Sequence, residues 1–275
     1  MTTALIRGIG DVGSAVALAL TKAGHRVALT DAPQPAYCRR AASFTDAAYD
    51  GTKAFGGVVG KICTQSELLP QMLACEGSVP IVLSEHLPQD VSTWADVLVD
   101  ARMRKRAIPE TQRGVTRLTI GIGPNFEAGV HADIVIESAW GDELGRIIKR
   151  GASRPFTGKP RNICGYCEER YVYAPEEGLF DTAYEIGAWV RAGERIGHIG
   201  GRPVSASIDG WIRGITRAGI KVRAGTKLVD IDPESRPSDP SRIGERPARI
   251  AQSVALVVQN AAENEESRRI GPRNC

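Results

Sequence analysis

The chain has 275 residues, of which 42% are hydrophobic and 24% charged, as is typical of a globular protein with one large or two modest domains. Its net charge of +3 is too small to indicate nucleic acid or a membrane surface as a partner. No apolar run approaches the roughly 20 residues that cross a bilayer, and the chain starts on a predicted strand instead of a secretion signal. We therefore expect a cytoplasmic protein whose six cysteines are mostly reduced.

The first elements have the pattern of a strand-helix-strand unit. Residues 4–7 predict a buried strand, residues 14–22 a helix, and residues 26–30 a second strand. Further apolar, β-branched runs predict strands at 80–83, 96–99, 118–120 and 133–136, and residues 64–75 predict a helix interrupted by Pro70. This alternation predicts an α/β fold whose first domain is a Rossmann-like parallel sheet.

A glycine-rich turn joins the first predicted strand to the first helix. Gly8, Gly10 and Gly13 give the spacing G-x-G-x-x-G, with Asp11 between the last two. In this context the glycines allow a tight turn and close approach of a pyrophosphate to the helix N-terminus. Asp31 ends the second strand, where its carboxylate could bind ribose hydroxyls, which disfavours NADP. The alternative is a structural turn that binds nothing.

Two further loops follow strands that we expect to end at the same edge of the sheet. One contains Gly121, Gly123 and Asn125, and the other contains Asp100 and Arg102. Ligands of open α/β sheets gather at the carboxyl ends of the strands, so these residues are predicted to bind the same cofactor as the first turn. The cations that follow Arg102 are Arg104, Lys105 and Arg106. They could hold phosphate, but a solvated charge run is an equal alternative.

An internal repeat distinguishes the second half of the chain from the first. Residues 174–193 recur 32 positions later at 206–225, with Val-Arg-Ala-Gly in both copies. Each copy predicts short strands with glycine turns, and two copies could interlock into a small flattened barrel. The pattern resembles biotinyl and lipoyl carriers, in which a lysine projects from the hairpin between the halves. Residues 200–203 (GGRP) lack that lysine, so the resemblance implies a packing or docking role.

These patterns predict four segments. Residues 1–150 are a Rossmann-like nucleotide-binding domain, 151–170 a connecting segment, and 171–233 a barrel-sandwich domain without a carrier lysine. Residues 234–275 are a linker, an amphipathic helix at 247–262 and a polar tail.

The sequence offers few candidates for acid-base catalysis or metal binding. Cys164 and Cys167 form a C-x-x-C pair that could be a redox disulfide or half of a metal site, but the chain has no second such pair. We therefore predict no metal site and keep this pair as a weak candidate. No nucleophile-base set stands out, which favours an accessory or cofactor-handling protein over a dehydrogenase.

Taken together, several segments resemble the accessory proteins of selenium-dependent molybdenum hydroxylases. The matching segments are 6–11 (IRGIGD), 99–103 (VDARM), 105–106 (KR), 120–126 (IGIGPNF), 128–129 (AG), 144–148 (LGRII), 157–160 (TGKP), 165–166 (GY), 168–170 (EER) and 174–175 (AP). The chain departs from that family at 140–142, where Trp-Gly-Asp replaces Arg-Gly-His, and at Cys164 and Cys167, where Gly and Ser are expected.

The resemblance implies a maturation protein for a molybdenum-containing hydroxylase. It would bind a nucleotide or molybdopterin-type cofactor at the predicted sheet edge and dock its client enzyme. The alternatives are an NAD-dependent oxidoreductase that uses the same site and a non-catalytic interaction scaffold. We expect neither nucleic acid nor membrane as a partner, and we leave a homo-oligomer open.

Overall fold

The computed structural model describes residues 1–158, 160–236 and 239–270, without the side chains of 265–270. Lys159, two residues of the predicted linker and the end of the predicted polar tail (271–275) lie outside the described residues. No described helix is long and apolar enough to span a membrane.

The first half of the described chain builds one large sheet. Its nine strands are β1 (Thr3–Arg7), β2 (Arg26–Asp31), β3 (Thr52–Phe55), β4 (Val58–Ile62), β5 (Ser78–Leu83), β6 (Val97–Asp100), β7 (Leu118–Ile122), β9 (Ile134–Ile136) and β10 (Ile147–Ile148). They lie in the order β10-β9-β7-β6-β1-β2-β5-β4-β3. A separate two-stranded ribbon joins β8 (Glu127–Ala128) to β11 (Gly151–Ala152).

The sheet is mixed, so the predicted Rossmann-like parallel sheet is wrong. Its centre is parallel, but β3 pairs antiparallel with β4 at one edge and β10 pairs antiparallel with β9 at the other. The sequence pattern missed the β3–β4 hairpin, in which positive-φ Gly56 and Gly57 form the turn. A two-residue connection of this kind allows only antiparallel pairing, which is why β3 and β4 run in opposite directions.

Helices are few and cover the sheet unevenly. Alternate residues of β1 point to opposite faces: Ala4 and Ile6 join the core beneath the first and last helices, whereas Leu5 joins the smaller core on the other face, which a short helix at Leu69–Leu73 covers. The helices of the described chain are α1 (Asp11–Lys22), α2 (Ala47–Asp50), α3 (Leu69–Leu73) and α4 (Glu245–Ile270). The last packs against α1, and its apolar stripe includes Ile250 and Val254. The predicted C-terminal helix is therefore present and longer than the pattern indicated, whereas the predicted helix at 64–75 is reduced to a 3-10 turn and α3.

Residues 171–232 build two four-stranded antiparallel sheets around a shared apolar core. The strands are β12 (Tyr171–Tyr173), β13 (Gly178–Asp181), β14 (Trp189–Val190), β15 (Arg195–Ile199), β16 (Arg202–Ser205), β17 (Gly210–Ile215), β18 (Ile220–Val222) and β19 (Lys227–Asp232). One sheet has the order β12-β19-β17-β14, the other β16-β15-β13-β18. Each copy of the 32-residue repeat thus gives two strands to each sheet.

The predicted second domain of biotinyl or lipoyl type is also a wrong assignment. What the structure shows is a pair of antiparallel sheets of interlocked repeats, joined closely to the large mixed sheet. The backbone of β17 approaches residue 38 so closely that a Cβ at Gly214 would lie 2.6 Å from the Cys38 carbonyl oxygen. Arg39 and Arg40 donate hydrogen bonds to the carbonyl oxygens of Arg213 and Ile215, at 3.1 and 3.0 Å. The segment after β2 therefore fixes the second unit against the first.

Candidate functional site

The glycine-rich turn has the predicted place between β1 and α1. Gly8 has a φ of +105°, and its amide donates to the Thr30 carbonyl oxygen at 2.7 Å. A Cβ at Gly8 would lie 2.8 Å from the Ala101 carbonyl oxygen, and one at Gly13 would collide with the Gly8 carbonyl oxygen. These glycines are therefore required by the packing of the turn itself, whether or not it binds a ligand.

The space over this turn is filled by Tyr37. A Cβ at Gly10 would lie 2.8 Å from the Tyr37 ring, and the Tyr37 hydroxyl donates to Asp31 Oδ2 at 2.8 Å. The same carboxylate accepts the Ile9 amide at 2.9 Å and the Ala32 amide at 2.8 Å. Burial raises the pKa of Asp31 above its ordinary value, against the opposing effect of these hydrogen bonds. Asp31, predicted to bind ribose, thus holds the loop over the turn.

Asp100 and Arg102 lie together at the end of β6, but they bind each other. The Asp100 carboxylate is almost completely buried and accepts three hydrogen bonds from the Arg102 guanidinium as well as one of 2.5 Å from Gln112. Arg102 and Arg104 both reach Glu110, at 2.5 and 2.6 Å. These two arginines are therefore paired with carboxylates, and the predicted phosphate role of Arg102 would require breaking that network.

The glycines of the second loop are likewise required by the packing of the loop. A Cβ at Gly121 would collide with the Phe126 ring, and one at Gly123 would lie 2.9 Å from Ser153. Asn125 adopts a φ of +68° and donates to the carbonyl oxygens of Lys105 and Ala107 at 3.1 and 3.2 Å. Asn125 therefore positions the basic segment that follows β6.

The two cysteines of the C-x-x-C pair lie on a tight hairpin. Ile163 and Tyr166 exchange backbone hydrogen bonds, and the central residues Cys164 and Gly165 both have positive φ. Cys164 is exposed, and the Cys167 thiol accepts from the Asn162 amide at 3.4 Å. Among the described residues, no cluster of three or more His, Cys, Asp or Glu side chains could hold a metal ion.

A cleft opens where α1, α4, the connecting segment and β19 meet, and we call it the basic cleft. It consists of two adjoining cavities of about 180 and 230 Å³, which share Trp140, Tyr171, Lys227 and Arg246 in their walls. Asp11, predicted to bind a cofactor, lines the first cavity. The other predicted sheet-edge residues are absent from the described lining of both cavities.

The walls of the basic cleft carry eight cations and three carboxylates among the described residues. The carboxylates are Asp11, Asp230 and Glu245, and the cations are Arg39, Lys105, Arg154, Arg161, Arg170, Arg213, Lys227 and Arg246. Three of the cations have ion-pair partners: Arg170 contacts Asp230 at 3.4 Å, Arg161 contacts Glu245 at 2.8 Å, and Arg154 contacts Glu143 at 2.5 Å.

The other five cations form no ion pair within the described part of the chain. Arg39 and Arg246 donate only to backbone carbonyl oxygens, those of Arg213 and Ser138. Burial lowers the pKa of both guanidinium groups, and the neighbouring Arg213 adds to the effect on Arg39. Burial, followed by repulsion from Lys227 and Arg246, lowers the pKa of Lys105 to about 8. The cleft therefore holds mutually repelling positive charges.

Aromatic side chains line the second cavity. Trp140, Phe156 and Tyr173 are between 37% and 46% exposed there, and Tyr171 lies in the wall of both cavities. The ammonium groups of Lys105 and Lys227 lie over the rings of Phe156 and Tyr171, at 5.2 and 3.3 Å from the ring centroids. A flat or apolar group could therefore pack beside the cations.

The sequence pattern missed most of this cleft, because its residues come from distant segments. Arg39 follows β2, Trp140 follows β9, Lys227 begins β19 and Arg246 begins α4. The sequence assigns a possible ligand-binding role only to Lys105, in the basic run after Arg102, and to Asp11, in the glycine-rich turn. No local spacing connects the others, so only the fold brings them together.

Comparisons with known proteins give one curated relative and several distant structures. No family model matches the chain. The uncharacterized protein YqeB of Escherichia coli (strain K12) is 30% identical over 250 residues, which are 91% of this chain and 46% of YqeB. The chain therefore spans about half the length of this relative. The resemblance to molybdenum hydroxylase accessory proteins stays a prediction, since YqeB is itself uncharacterized.

Two of the solved structures that the chain resembles are named after aspartoacylases, and a third after ectoine utilization. A succinylglutamate desuccinylase/aspartoacylase from Rhodobacter sphaeroides is 28% identical over 23% of this chain and 21% of its own, with a TM-score of 0.21. An aspartoacylase family protein from Mesorhizobium loti is 11% identical over 76% and 58%, with a TM-score of 0.24. The ectoine utilization protein EutE from Ruegeria pomeroyi, in its apo form, is 10% identical over 84% and 85%, also with 0.24. TM-scores this low transfer no activity.

The contacts within the chain overturn the functional prediction. Within the chain, Tyr37 covers the turn, and Asp31 and Arg102 are engaged elsewhere. The prediction of a maturation protein that binds a nucleotide or molybdopterin at this edge is therefore wrong, and its oxidoreductase alternative, which uses the same edge, falls with it.

Proposed function

We propose that this chain binds a small organic anion, bearing a phosphate or carboxylate group, in the basic cleft. The observation that carries the proposal is the set of five cations that have no carboxylate partner among the described residues: Arg39, Lys105, Arg213, Lys227 and Arg246. Guanidinium and ammonium groups are the side chains that bind such anions most strongly.

The charge distribution supports an anion at this place. The whole chain has a net charge of +3, whereas the described lining of the cleft has five more cations than carboxylates, so the rest of the protein is net negative. A concave surface with one sign of charge concentrates oppositely charged ligands. Partly burying like charges costs free energy, and a bound anion would offset that cost.

The aromatic wall adds a second element of recognition. Trp140 and Phe156 are large, partly exposed rings in the cavity that also contains Lys105. A ligand with an apolar or planar body can pack on these rings while its anionic group contacts Lys227 and Arg246. We therefore expect organic anions to bind more tightly than inorganic phosphate.

Titration calorimetry with inorganic phosphate, pyrophosphate, citrate and phenyl phosphate tests the proposal. Lys227→Met should weaken binding at least tenfold, because Lys227 lies in the walls of both cavities. Lys221→Met is the matched control. Lys221 lies in β18, within the same pair of antiparallel sheets as Lys227, but it pairs with Glu177 at 2.8 Å, away from the cleft. Phosphate and phosphoester binding with no citrate binding would identify a phosphate ligand, and the reverse a carboxylate ligand. Equal losses in the two variants, or no binding of any probe, would contradict the proposal.

The cellular setting is a further part of the proposal. We propose a cytoplasmic location, and self-association also stays a prediction.

A further inference from the structure

The basic cleft contains one amine that is placed to do more than attract an anion. We propose that Lys105 forms an imine with a carbonyl group of the bound ligand, so that the ligand is an oxo acid or an aldehyde that also carries an anionic group. This inference rests on the proposed function, because the anionic group is what brings the carbonyl group to Lys105.

The position of Lys105 is fixed by its surroundings. Asn125 donates to the Lys105 carbonyl oxygen at 3.1 Å, which holds the backbone of the basic segment against the second glycine loop. The Lys105 ammonium group lies 5.2 Å from the centre of the Phe156 ring, inside the aromatic cavity. Among the described residues it forms neither an ion pair nor a side-chain hydrogen bond, so its nitrogen is available to a ligand.

The neighbouring cations can bind the anionic group of the ligand while Lys105 reacts with its carbonyl group. Lys227 and Arg246 line the same cavity as Lys105 and also the adjoining one. They can hold a carboxylate or phosphate of the ligand while its carbonyl carbon faces the Lys105 nitrogen. The same two cations repel the Lys105 ammonium form and so favour the neutral amine.

The neutral amine is the form that attacks carbonyl groups. Because burial and its cationic neighbours lower the pKa of Lys105 to about 8, roughly a tenth of its amine is neutral at pH 7. A lysine that is desolvated or lies beside another cation is the usual Schiff-base nucleophile. The ordinary amine of an exposed lysine is neutral about three-hundredfold less often at this pH.

The reaction balances without an oxidant or reductant. The nitrogen lone pair forms a C–N bond while the π electrons of the carbonyl group move to oxygen, which takes a proton and gives a carbinolamine. The C–O bond then breaks, the C=N bond forms, and oxygen leaves as water with both original amine protons. The product is an imine, and water reverses it.

Reductive trapping tests this step. Pyridoxal phosphate, an aromatic aldehyde with a phosphate group, is mixed with the wild-type chain at less than one equivalent, reduced with borohydride, and mapped by peptide mass spectrometry. We expect Lys105 to be modified at least tenfold faster than the exposed Lys221. Pyridoxal, which lacks the phosphate, should show a smaller preference for Lys105, and excess pyrophosphate should slow the reaction of pyridoxal phosphate with Lys105.

Two outcomes separate failure of this inference from failure of the proposed function. If pyrophosphate binds in calorimetry but the adduct is spread evenly over the lysines, the inference is wrong and anion binding stands. If none of the calorimetry probes binds, citrate included, the anion-binding function itself is wrong. Lys105→Arg keeps the charge, so this variant should retain pyrophosphate binding and lose the adduct; an unchanged total of fast-reacting adduct would overturn the assignment to Lys105.

Discussion

The Tyr37 hydroxyl donates a 2.8 Å hydrogen bond to Asp31 Oδ2, and this bond holds the Tyr37 ring against Gly10. The same carboxylate oxygen accepts the Ile9 amide, so the end of β2 and the glycine-rich turn are tied together. Burial is the largest cause of the high pKa of Tyr37, and the adjacent Asp31 carboxylate adds to it, so the phenol stays protonated as a donor. The turn is thus packed by the chain's own side chain.

Gly10→Ala should destabilise the protein by about 1–3 kcal/mol, the usual cost of overpacking. The new methyl group would lie 2.8 Å from the Tyr37 ring, whereas the backbone at Gly10, with φ of −68°, accepts alanine without strain. In a Tyr37→Ala background most of this cost should disappear, because the ring is gone. Urea unfolding of the two single variants and the double variant measures the coupling. Additive free energies of unfolding would show that Tyr37 does not pack on Gly10 in solution.

The contrast between the turn and its cover shows what a sequence pattern can predict. The spacing of Gly8, Gly10 and Gly13 follows from local backbone geometry, so the strand-turn-helix was predictable, as were β5, β6 and β7 from their apolar runs. Tyr37 lies in an irregular segment with no periodicity, and its contact with Gly10 depends on the path of the chain after β2.

The edges of the sheet and the basic cleft escaped prediction for a similar reason. Lys53 and Lys61 interrupt the apolar pattern of the β3–β4 hairpin, which therefore resembles a loop. Arg39, Lys227 and Arg246 meet only because the repeat unit folds back onto residues 36–50 and α4 packs against α1. Long-range packing of this kind leaves no mark in residue spacing.

The pH dependence of the free energy of unfolding should reveal the lowered pKa of Lys105. Its pKa is about 8 in the folded protein and about 10.5 when unperturbed, so between these values the unfolded chain binds more protons. The contribution of Lys105 to stability should therefore rise as the pH rises from about 8 to 10.5. The difference in free energy of unfolding between the wild type and Lys105→Met isolates this contribution. Lys221→Met serves as the control. A Lys105→Met difference that does not change with pH would mean that the Lys105 amine is in water.

The affinity for an anion without a carbonyl group, such as pyrophosphate, should fall as the pH rises. Lys105 is positively charged below pH 8, so pyrophosphate should bind more tightly at pH 7 than at pH 9, by severalfold beyond the change caused by the ligand's own titration. Lys105→Met should remove the excess. Calorimetry at the two pH values, with Lys221→Met as the control, measures it. The same excess in Lys105→Met would assign the titration to another group.

Glu110 should contribute stability that is lost in acid. Hydrogen bonds from Arg102 and Arg104 outweigh the opposing effect of burial and lower the pKa of Glu110 to about 2. Its contribution is therefore complete above about pH 4.5 and disappears as the pH falls towards 2. Because its side chain is 48% exposed, Glu110→Gln should cost less than about 1 kcal/mol at pH 7 and nothing at the acid end. Urea unfolding across this range tests it, with exposed Glu67→Gln as the control; an undiminished loss in acid would exclude the ion pairs as its cause.

The buried ion pair between Arg170 and Asp230 should matter more than any surface pair. Both side chains are at least 93% buried and lie 3.4 Å apart, and the Arg170 Nε has no hydrogen-bond partner among the described residues. Asp230→Asn would leave the guanidinium without its carboxylate, so the free energy of unfolding should fall by about 3–5 kcal/mol. Asp50→Asn removes the carboxylate from the exposed pair with Arg217 and should cost less than about 1 kcal/mol. Urea unfolding of both variants at pH 7 gives the comparison.

Because Arg170 also lines the basic cleft, excess pyrophosphate should recover part of the loss in Asp230→Asn and none in Asp50→Asn. Equal losses in the two variants would mean that water or a local rearrangement already satisfies Arg170.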